Sequence, residues 1–415
     1  CPYTLKDFNA WMPLYFLMAK IDFVLTHMPR LSVSLSIFYR YFLILFLGTL
    51  IGCQQNVEYT YITGGGRCAN GKQDPDEFGV DCGGACSQSC ENLRYLEGEI
   101  FGRMYLEKRF DYVLTGPLIV RDQASLEFPA GTHLKVQADV GAYIAVVQGG
   151  SIFSWGKPDS PVTISSNAPE PSAGDWGGII ICGQAPLESA ERKFTPIGNY
   201  YYGGNNPNDG SGSLRYLKIE HAGAVYNEEF NFSALSLYGT GRLTPMHHIW
   251  VDDVLHNGVE ISGGNIEVDN LVVTRAQQNA LTITSNWGGE ADQLFLHQSG
   301  NNGIKVHDPA LANTISSSFT LSKISINDAS TAAIGISSQL SSANFDRFLI
   351  TNTPLGFDFS PSFSATFPIQ WENISLQNVT AVSNDPSFNA QFNSIAILPF
   401  ENANQLPAWL SNWEN

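Results

Sequence analysis

Short apolar-x-apolar runs, each followed by a polar turn, recur between about residues 117 and 382. One unit reads His248-Ile-Trp-Val-Asp-Asp-Val-Leu-His-Asn-Gly-Val-Glu-Ile261, and the next Asn270-Leu-Val-Val-Thr-Arg-Ala-Gln-Gln-Asn-Ala-Leu-Thr-Ile283. Three more follow, at Gln293–Val306, Lys323–Ile336 and Arg347–Phe359. From Ile249 to Leu271 to Leu294 the spacing is 22 and then 23 residues, lengthening to 30 at Ile324 and 24 at Phe348. Alternation with period 2 puts one face of each short strand inside. No unit closes a core alone, so the units must stack. The pattern predicts an all-β fold, a right-handed parallel β-helix (solenoid). A leucine-rich repeat shares the period but needs an Asn and Leu ladder that is missing here. A β-propeller needs four strands per forty-odd residues.

The amino-terminal part reads differently. Residues 1–27 begin with Cys, match no targeting pattern and read as an upstream extension. Residues 28–52 hold Arg30 and Arg40, then the apolar stretch Tyr41–Leu50. That stretch is shorter than the roughly 20 residues of a bilayer span. It ends in Leu50-Ile51-Gly52-Cys53, which resembles the lipobox of bacterial lipoproteins. The resemblance implies lipidation of Cys53, since several acyl chains hold a protein on a membrane where one anchors only marginally. Gln54 gives no sign of inner-membrane retention, so the expected address is the outer membrane, on its surface or periplasmic face.

After a linker at 53–66 comes a Cys-rich element, 67–92, with Cys68, Cys82, Cys86 and Cys90. The spacing lacks paired C-x2-C zinc knuckles, and an even set of Cys in an exported chain favours disulfides. Two bridges are expected, in any of three pairings. Asp74, Asp76, Glu77 and Asp81 offer hard oxygens for Ca²⁺, against the plainer reading of a solvated acidic loop. The words Asn70-Gly71 and Asp81-Cys82-Gly83-Gly84 resemble a short element of Bacteroidetes surface proteins. A lead-in segment and amino-terminal cap at 93–116, the β-helix at 117–382 and a carboxy-terminal cap at 383–415 complete the expected organisation. Within that last segment Pro407–Trp413 is expected over the final coil, because open solenoid ends need protection.

Two long words inside the repeats, Gly174-Asp-Trp-Gly-Gly-Ile-Ile-Ile-Cys-Gly-Gln-Ala-Pro186 and Tyr202–Gly223, resemble a group of Bacteroidetes β-helix lipoproteins without an established activity. The resemblance spans roughly residues 110–300 and implies location and fold. Where those relatives carry an acidic turn, this chain has Leu255-His256-Asn257-Gly258-Val259-Glu260.

Composition narrows the partners. Lys+Arg total 22 against 39 Asp+Glu, a net charge of −17. Residues 1–52 are net basic, so the remainder, 18 basic against 37 acidic, carries −19. Such a surface opposes nucleic acid, whose affinity comes from released phosphate counterions. It also disfavours acidic polysaccharide.

A glycosidase needs two carboxylates about 5–10 Å apart. Asp252 and Asp253 are adjacent and should face opposite sides of a strand, leaving Glu260 or Asp269 as partners from neighbouring coils. The Gly-His-Gly and Arg-x-Lys words of pectin-cleaving hydrolases are missing. A lyase base would come from Lys218, Arg242, Arg275 or Lys305, which lie in separate units. His247 and His248 should face apart, and His256 and His297 read as surface histidines. Cys182, after three Ile, reads as a buried inert thiol. Trp287, in the turn Asn286-Trp287-Gly288-Gly289, reads as the most exposed candidate for sugar stacking. Trp250 and Tyr202 are further candidates. The expected function is a non-catalytic, lipid-anchored envelope protein presenting loops to a glycan or surface partner, with no certain cofactor. The alternative is a polysaccharide lyase or glycoside hydrolase acting on the helix face.

Overall fold

The computed structural model describes residues 77, 82, 86, 92–187, 192–307, 315–337, 340–360, 369–389, 406–411 and 413. Twenty-three strands join in one parallel sheet that winds into a solenoid of about ten turns. A separate two-stranded hairpin, Lys193–Phe194 with Tyr201–Tyr202, is antiparallel. Among the described residues no helix is long and apolar enough to cross a membrane.

Two kinds of strand build the later coils. Short strands stack in one column, through Ile179–Cys182, Leu235–Tyr238, Val259–Ser262, Leu281–Thr284 and Asn302–His307. Long strands stack in another, through Gly212–Glu220, Met246–Val254, Val268–Ala276 and Glu290–Ser299. On its upstream side, Gly212–Glu220 has two separate strands as partners. Ser151–Trp155 pairs with the first half of Gly212–Glu220, and Val162–Ser166 with the second.

Each long strand is bent by residues in the left-handed backbone region. Tyr216, His248, Asn270, Gln293, Lys323, Arg347 and Asn373 form one ladder of positive φ, from 48° to 60°. A second ladder runs through His221, Asp253, Arg275, Gln298, Asp328, Asn352 and Asn378. Such a residue resets the alternation of side chains. Val251 and Val254 are both in the core, so Asp252 and Asp253 both lie outside. Met246 and Ile249 likewise leave His247 and His248 outside together. The expectation that each pair faces apart is therefore corrected. It assumed straight β geometry.

The interior is a stack of like on like. Leu217, Ile249, Leu271, Leu294, Ile324 and Phe348 are in register and nearly inaccessible. Full burial of each such side chain contributes about 1.5–3 kcal/mol. At one turn Asn257, Asn279 and Asn302 stack, each Nδ2 donating to the Oδ1 of the preceding Asn at 3.0 Å. This gives the Nδ2 groups of Asn279 and Asn302 partners that a dry turn would otherwise deny them. Asn257 thus holds the Leu255–Glu260 turn.

Trp176 is a core residue whose indole donates to the Glu220 carbonyl at 2.8 Å. Two residues on, Gly178 has φ +145°, and a Cβ there would stand 2.5 Å from the Ser233 carbonyl oxygen. Packing thus accounts for Trp176 and Gly178 of the Gly-Asp-Trp-Gly-Gly word, while Asp175 accepts from Ser166 and Ser172. Phe388, in the short helix Pro386–Asn389, packs against Phe357 and Phe359 at the last described coil. The segment Pro407–Trp413, expected over that end, instead lies on the wall, where Leu410 and Trp413 cover Trp250, Val272 and Phe295. Those three are the outward side chains of successive long strands. The outward apolar side chains of the wall give the tail a surface to bury.

Candidate functional site

The long-strand wall carries a polar row in which Glu220, Asp252, Thr274 and His297 sit side by side. Asp252 accepts from Thr274 Oγ1 at 2.5 Å and from the Arg275 guanidinium at 2.7 Å. Burial pushes its carboxyl up; Thr274 and Arg275 pull it back, and Glu220 adds a smaller push upward. Lys218 Nζ lies 2.9 Å from Glu220 Oε1 and 4.0 Å from the centre of the Trp250 ring. A cleft of about 460 Å³ opens here, lined by Lys218, Trp250, Asp252, Thr274, Arg275, His297, Gln298 and Leu406.

The four carboxylates considered from sequence are not gathered there. Asp253 faces His221 at 3.8 Å, and Asp269 accepts from Gln293 at 3.2 Å on a different stretch of the wall. Glu260 belongs to the short-strand column, where it accepts from Ser233 and Tyr238. The carboxylate beside Asp252 is Glu220, which sequence reading missed because the two are 32 residues apart in unequal coils. Each of this pair has a cation beside it, Lys218 on Glu220 and Arg275 on Asp252. Ser165 Oγ lies 3.3 Å from His221 Nδ1, giving a Ser165–His221–Asp253 order, but Ser165 is buried and does not line this cleft.

The stacking candidates also move. Trp287 is fully buried, stacked on Phe319 with ring centres 5.5 Å apart, its indole donating to the Ile266 carbonyl. A Cβ at Gly289 would come 2.5 Å from that indole. The glycine that suggested an open turn makes room for the ring. Trp250 is buried under the tail, and Tyr202 is buried against Tyr238. Trp287 and Tyr202 are enclosed, each ring being worth more to the fold as buried apolar surface, whereas Trp250, although mostly buried, lines the wall cleft.

The exposed aromatic pair is elsewhere. Phe194 and Tyr201, cross-strand partners in the hairpin, pack against each other at a 36° tilt with ring centres 4.1 Å apart, and both are about half exposed. Their hairpin turns through Gly198 and Asn199, both at positive φ. Tyr200 is held by the Tyr143 hydroxyl at 2.9 Å, and burial pushes its phenol up. Beside the pair lies a cleft of about 410 Å³, lined by Arg121, Gln148, Gln184, Arg192, Asn199, Tyr200 and Tyr201 among others. Gln148 is fixed by donating to the carbonyls of Gly183 and Gly203. Beneath the hairpin, Cys182 is fully buried and its thiol pushed up by that burial, which suits an inert packing residue.

No group of three or more His, Cys, Asp and Glu able to hold a metal occurs among the described residues. His247 and His248 touch through their Nδ1 atoms at 3.0 Å, His256 Nδ1 meets the Gly223 carbonyl, and burial lowers His297. Of the Ca²⁺ candidates Glu77 alone is described, buried 2.9 Å from Cys86 Sγ; Asp74, Asp76 and Asp81 lie outside the described residues. So do Cys53, Cys68 and Cys90.

A parallel solenoid of short coils, with clefts on its outer surface, is the architecture of the pectate-lyase-type β-helices. The family model for the pectate-lyase-like β-helix domain matches residues 98–414, and the chain belongs to that family. No curated protein and no solved structure matches it.

Proposed function

We propose that this protein is a lipid-anchored envelope protein of the Bacteroidetes type that binds glycans without cleaving them. The observation that carries the reading is the half-exposed, tilted Phe194–Tyr201 pair, whose Tyr201 lines the hairpin cleft. A sugar presents apolar C–H faces to such rings, and its hydroxyls pair with amides and guanidinium groups placed around them. Gln148, Gln184 and Asn199 supply amides; Arg121 and Arg192 supply the guanidinium groups. The rigid solenoid beneath holds these groups in place, a good scaffold for binding.

The basic and apolar run of residues 28–52 ending at Cys53 supports the anchor. The Cys68, Cys82, Cys86 and Cys90 element then forms a stem with two disulfides, its acidic residues available to Ca²⁺, and the partner is a glycan at the cell surface or in the periplasm. Incorporation of radiolabelled lipid, lost in Cys53→Ala, tests the anchor.

A glycan array followed by titration tests the binding. Tyr201→Ala should weaken the best ligand about tenfold, the equivalent of about 1.4 kcal/mol for one lost ring face. The lyase or hydrolase reading is favoured instead if the array ligand is shortened on incubation with the wild-type protein. Unchanged affinity in Tyr201→Ala would sink the hairpin as the site.

A further inference from the structure

Outside both clefts, the bend in one long strand brings together two nitrogen donors. His247 and His248 are consecutive, yet the left-handed backbone at His248 (φ 57°) leaves both rings outside the solenoid. Their Nδ1 atoms stand 3.0 Å apart, with the ring planes at 87° to each other. Two nitrogens bound to one ion at about 2.0–2.1 Å, and at right angles, are also about 3 Å apart. Right-angled nitrogen coordination is the preference of Cu²⁺ and Ni²⁺.

The surroundings suit a chelate. In the metal-free pair one Nδ1–H donates to the lone pair of the other ring. Moving that proton to Nε2 of the same ring turns both Nδ1 lone pairs toward one point, and no proton leaves the protein. Neither Nε2 is tied up by another hydrogen bond among the described residues. Tyr216 stacks on His248 with ring centres 4.5 Å apart. Trp409, from the carboxy-terminal strap Leu406–Trp413 that lies on the wall, meets the same ring edge-on at 5.0 Å. The His248 ring is thus held before any ion arrives. Along the row of paired strands Arg215 precedes His247 and Asp269 follows it. The Arg215 guanidinium is laid over the Trp155 ring at 4.7 Å, whereas Asp269 brings a carboxylate to the pair. A carboxylate beside such a site offsets the charge of the ion and accepts from water bound to it.

We infer that His247 and His248 chelate one divalent ion of the copper type through their Nδ1 atoms, with water in the remaining positions. The donors set the order of affinity: Cu²⁺ above Ni²⁺ and Zn²⁺, with Ca²⁺ and Mg²⁺ excluded because they take oxygen ligands. Closed and catalytic zinc sites use three or four protein ligands, and no set of three occurs among the described residues. With two, the ion stays exchangeable and open to an outside ligand. Both rings are only half-buried, which leaves room for that water. The site goes beyond the glycan reading and stands if that reading fails.

The test titrates the full chain, first stripped with a chelator, with Cu²⁺ by calorimetry and electron paramagnetic resonance. One equivalent should bind with a spectrum coupled to two imidazole nitrogens, and tryptophan emission should fall because Trp409 is beside His248. His247→Gln and His248→Asn should each weaken that equivalent about a hundredfold and leave one coupled nitrogen. Asparagine is chosen at 248 because it tolerates the left-handed backbone there. Zn²⁺ should compete weakly for the same place, and Ca²⁺ should not compete. Copper bound equally well by both variants would be an adventitious ion held elsewhere and would overturn the inference. So would a parent spectrum coupled to a single nitrogen, or displacement of copper by Ca²⁺. Circular dichroism checks that the variants fold; if one does not, the two-nitrogen spectrum of the parent decides.

Discussion

Two apolar strips lie on the outside of this solenoid, and the chain covers them in different ways. On the short-strand column, Ile119, Ala145, Ile180, Cys182 and Tyr238 are covered by Leu187, Ile197, Tyr202 and Phe232. Those covering residues sit in loops between the coils they cover. On the long-strand wall, Trp250, Val272 and Phe295 are covered by Leu410 and Trp413, from the end of the chain. A local cover closes a short loop and becomes part of the stack. A remote cover closes a long loop at greater entropic cost, and nothing in the stack depends on it. The first should unfold with the solenoid, and the second should detach before it.

The strongest way to break this comparison is Phe232→Ala. Phe232 packs on Tyr143 at 5.2 Å and is almost fully buried, so chemical denaturation should show a loss of about 3–5 kcal/mol. Trp413→Ala removes a ring of similar burial, yet the main unfolding transition should move by only about 1 kcal/mol, inside the range of ordinary surface and edge changes. Its effect should appear instead as early proteolysis of the tail and a red shift of tryptophan emission. Equal losses for the two variants would show that the strap is part of the cooperative unit.

Acid should sharpen the same contrast. His247 and His248 sit beneath the strap, and burial lowers both; His248 and Arg215 lower His247 further, while Asp269 opposes. A lowered histidine means the docked state prefers the neutral ring. Docking is therefore complete above the ordinary histidine value of about 6.5 and is lost as pH falls below it. Tail proteolysis and tryptophan emission across pH 8 to 5 should follow this, and His248→Gln should flatten the profile.

The smallest expected effect is at Glu260, on the locally covered side. Burial raises its carboxyl, and hydrogen bonds from Ser233 and Tyr238 only partly offset this. A raised carboxyl destabilises the fold as pH climbs above the unfolded value of about 4.3. Glu260→Gln should thus be slightly more stable than the parent at pH 7 and no different below about pH 4. A variant less stable at pH 7 would mean that the carboxylate's hydrogen bonds outweigh its desolvation.

Much of the solenoid was legible because its strands repeat a period-2 code, and Ile249, Leu271 and Leu294 do stack in register. The bends were written in the same code but went unread. Met246-His-His-Ile249 and Val251-Asp-Asp-Val254 both have two polar residues between apolar ones, the mark of a left-handed residue that resets the alternation. Straight-strand reasoning therefore sent His248 and Asp253 to the wrong side. The hairpin was half legible: Tyr202 of its second strand was a candidate, whereas the exposed pair Phe194 and Tyr201 was not, although Gly198-Asn199 marks the turn between them.

By itself the sequence determined the repeat, the inward faces and the acidity, because each depends on residue type and near neighbours along the chain. Which aromatics are exposed was decided by tertiary structure. Trp287 and Trp250 differ little from Tyr201 as side chains, yet the first fills the core, the second lies under a distant tail, and the third faces solvent. So was the neighbour of Asp252. Coils of unequal length bring Glu220 alongside it, and no spacing along the chain encodes that register. Burial and register depend on what packs from elsewhere in the chain, and that information is long-range.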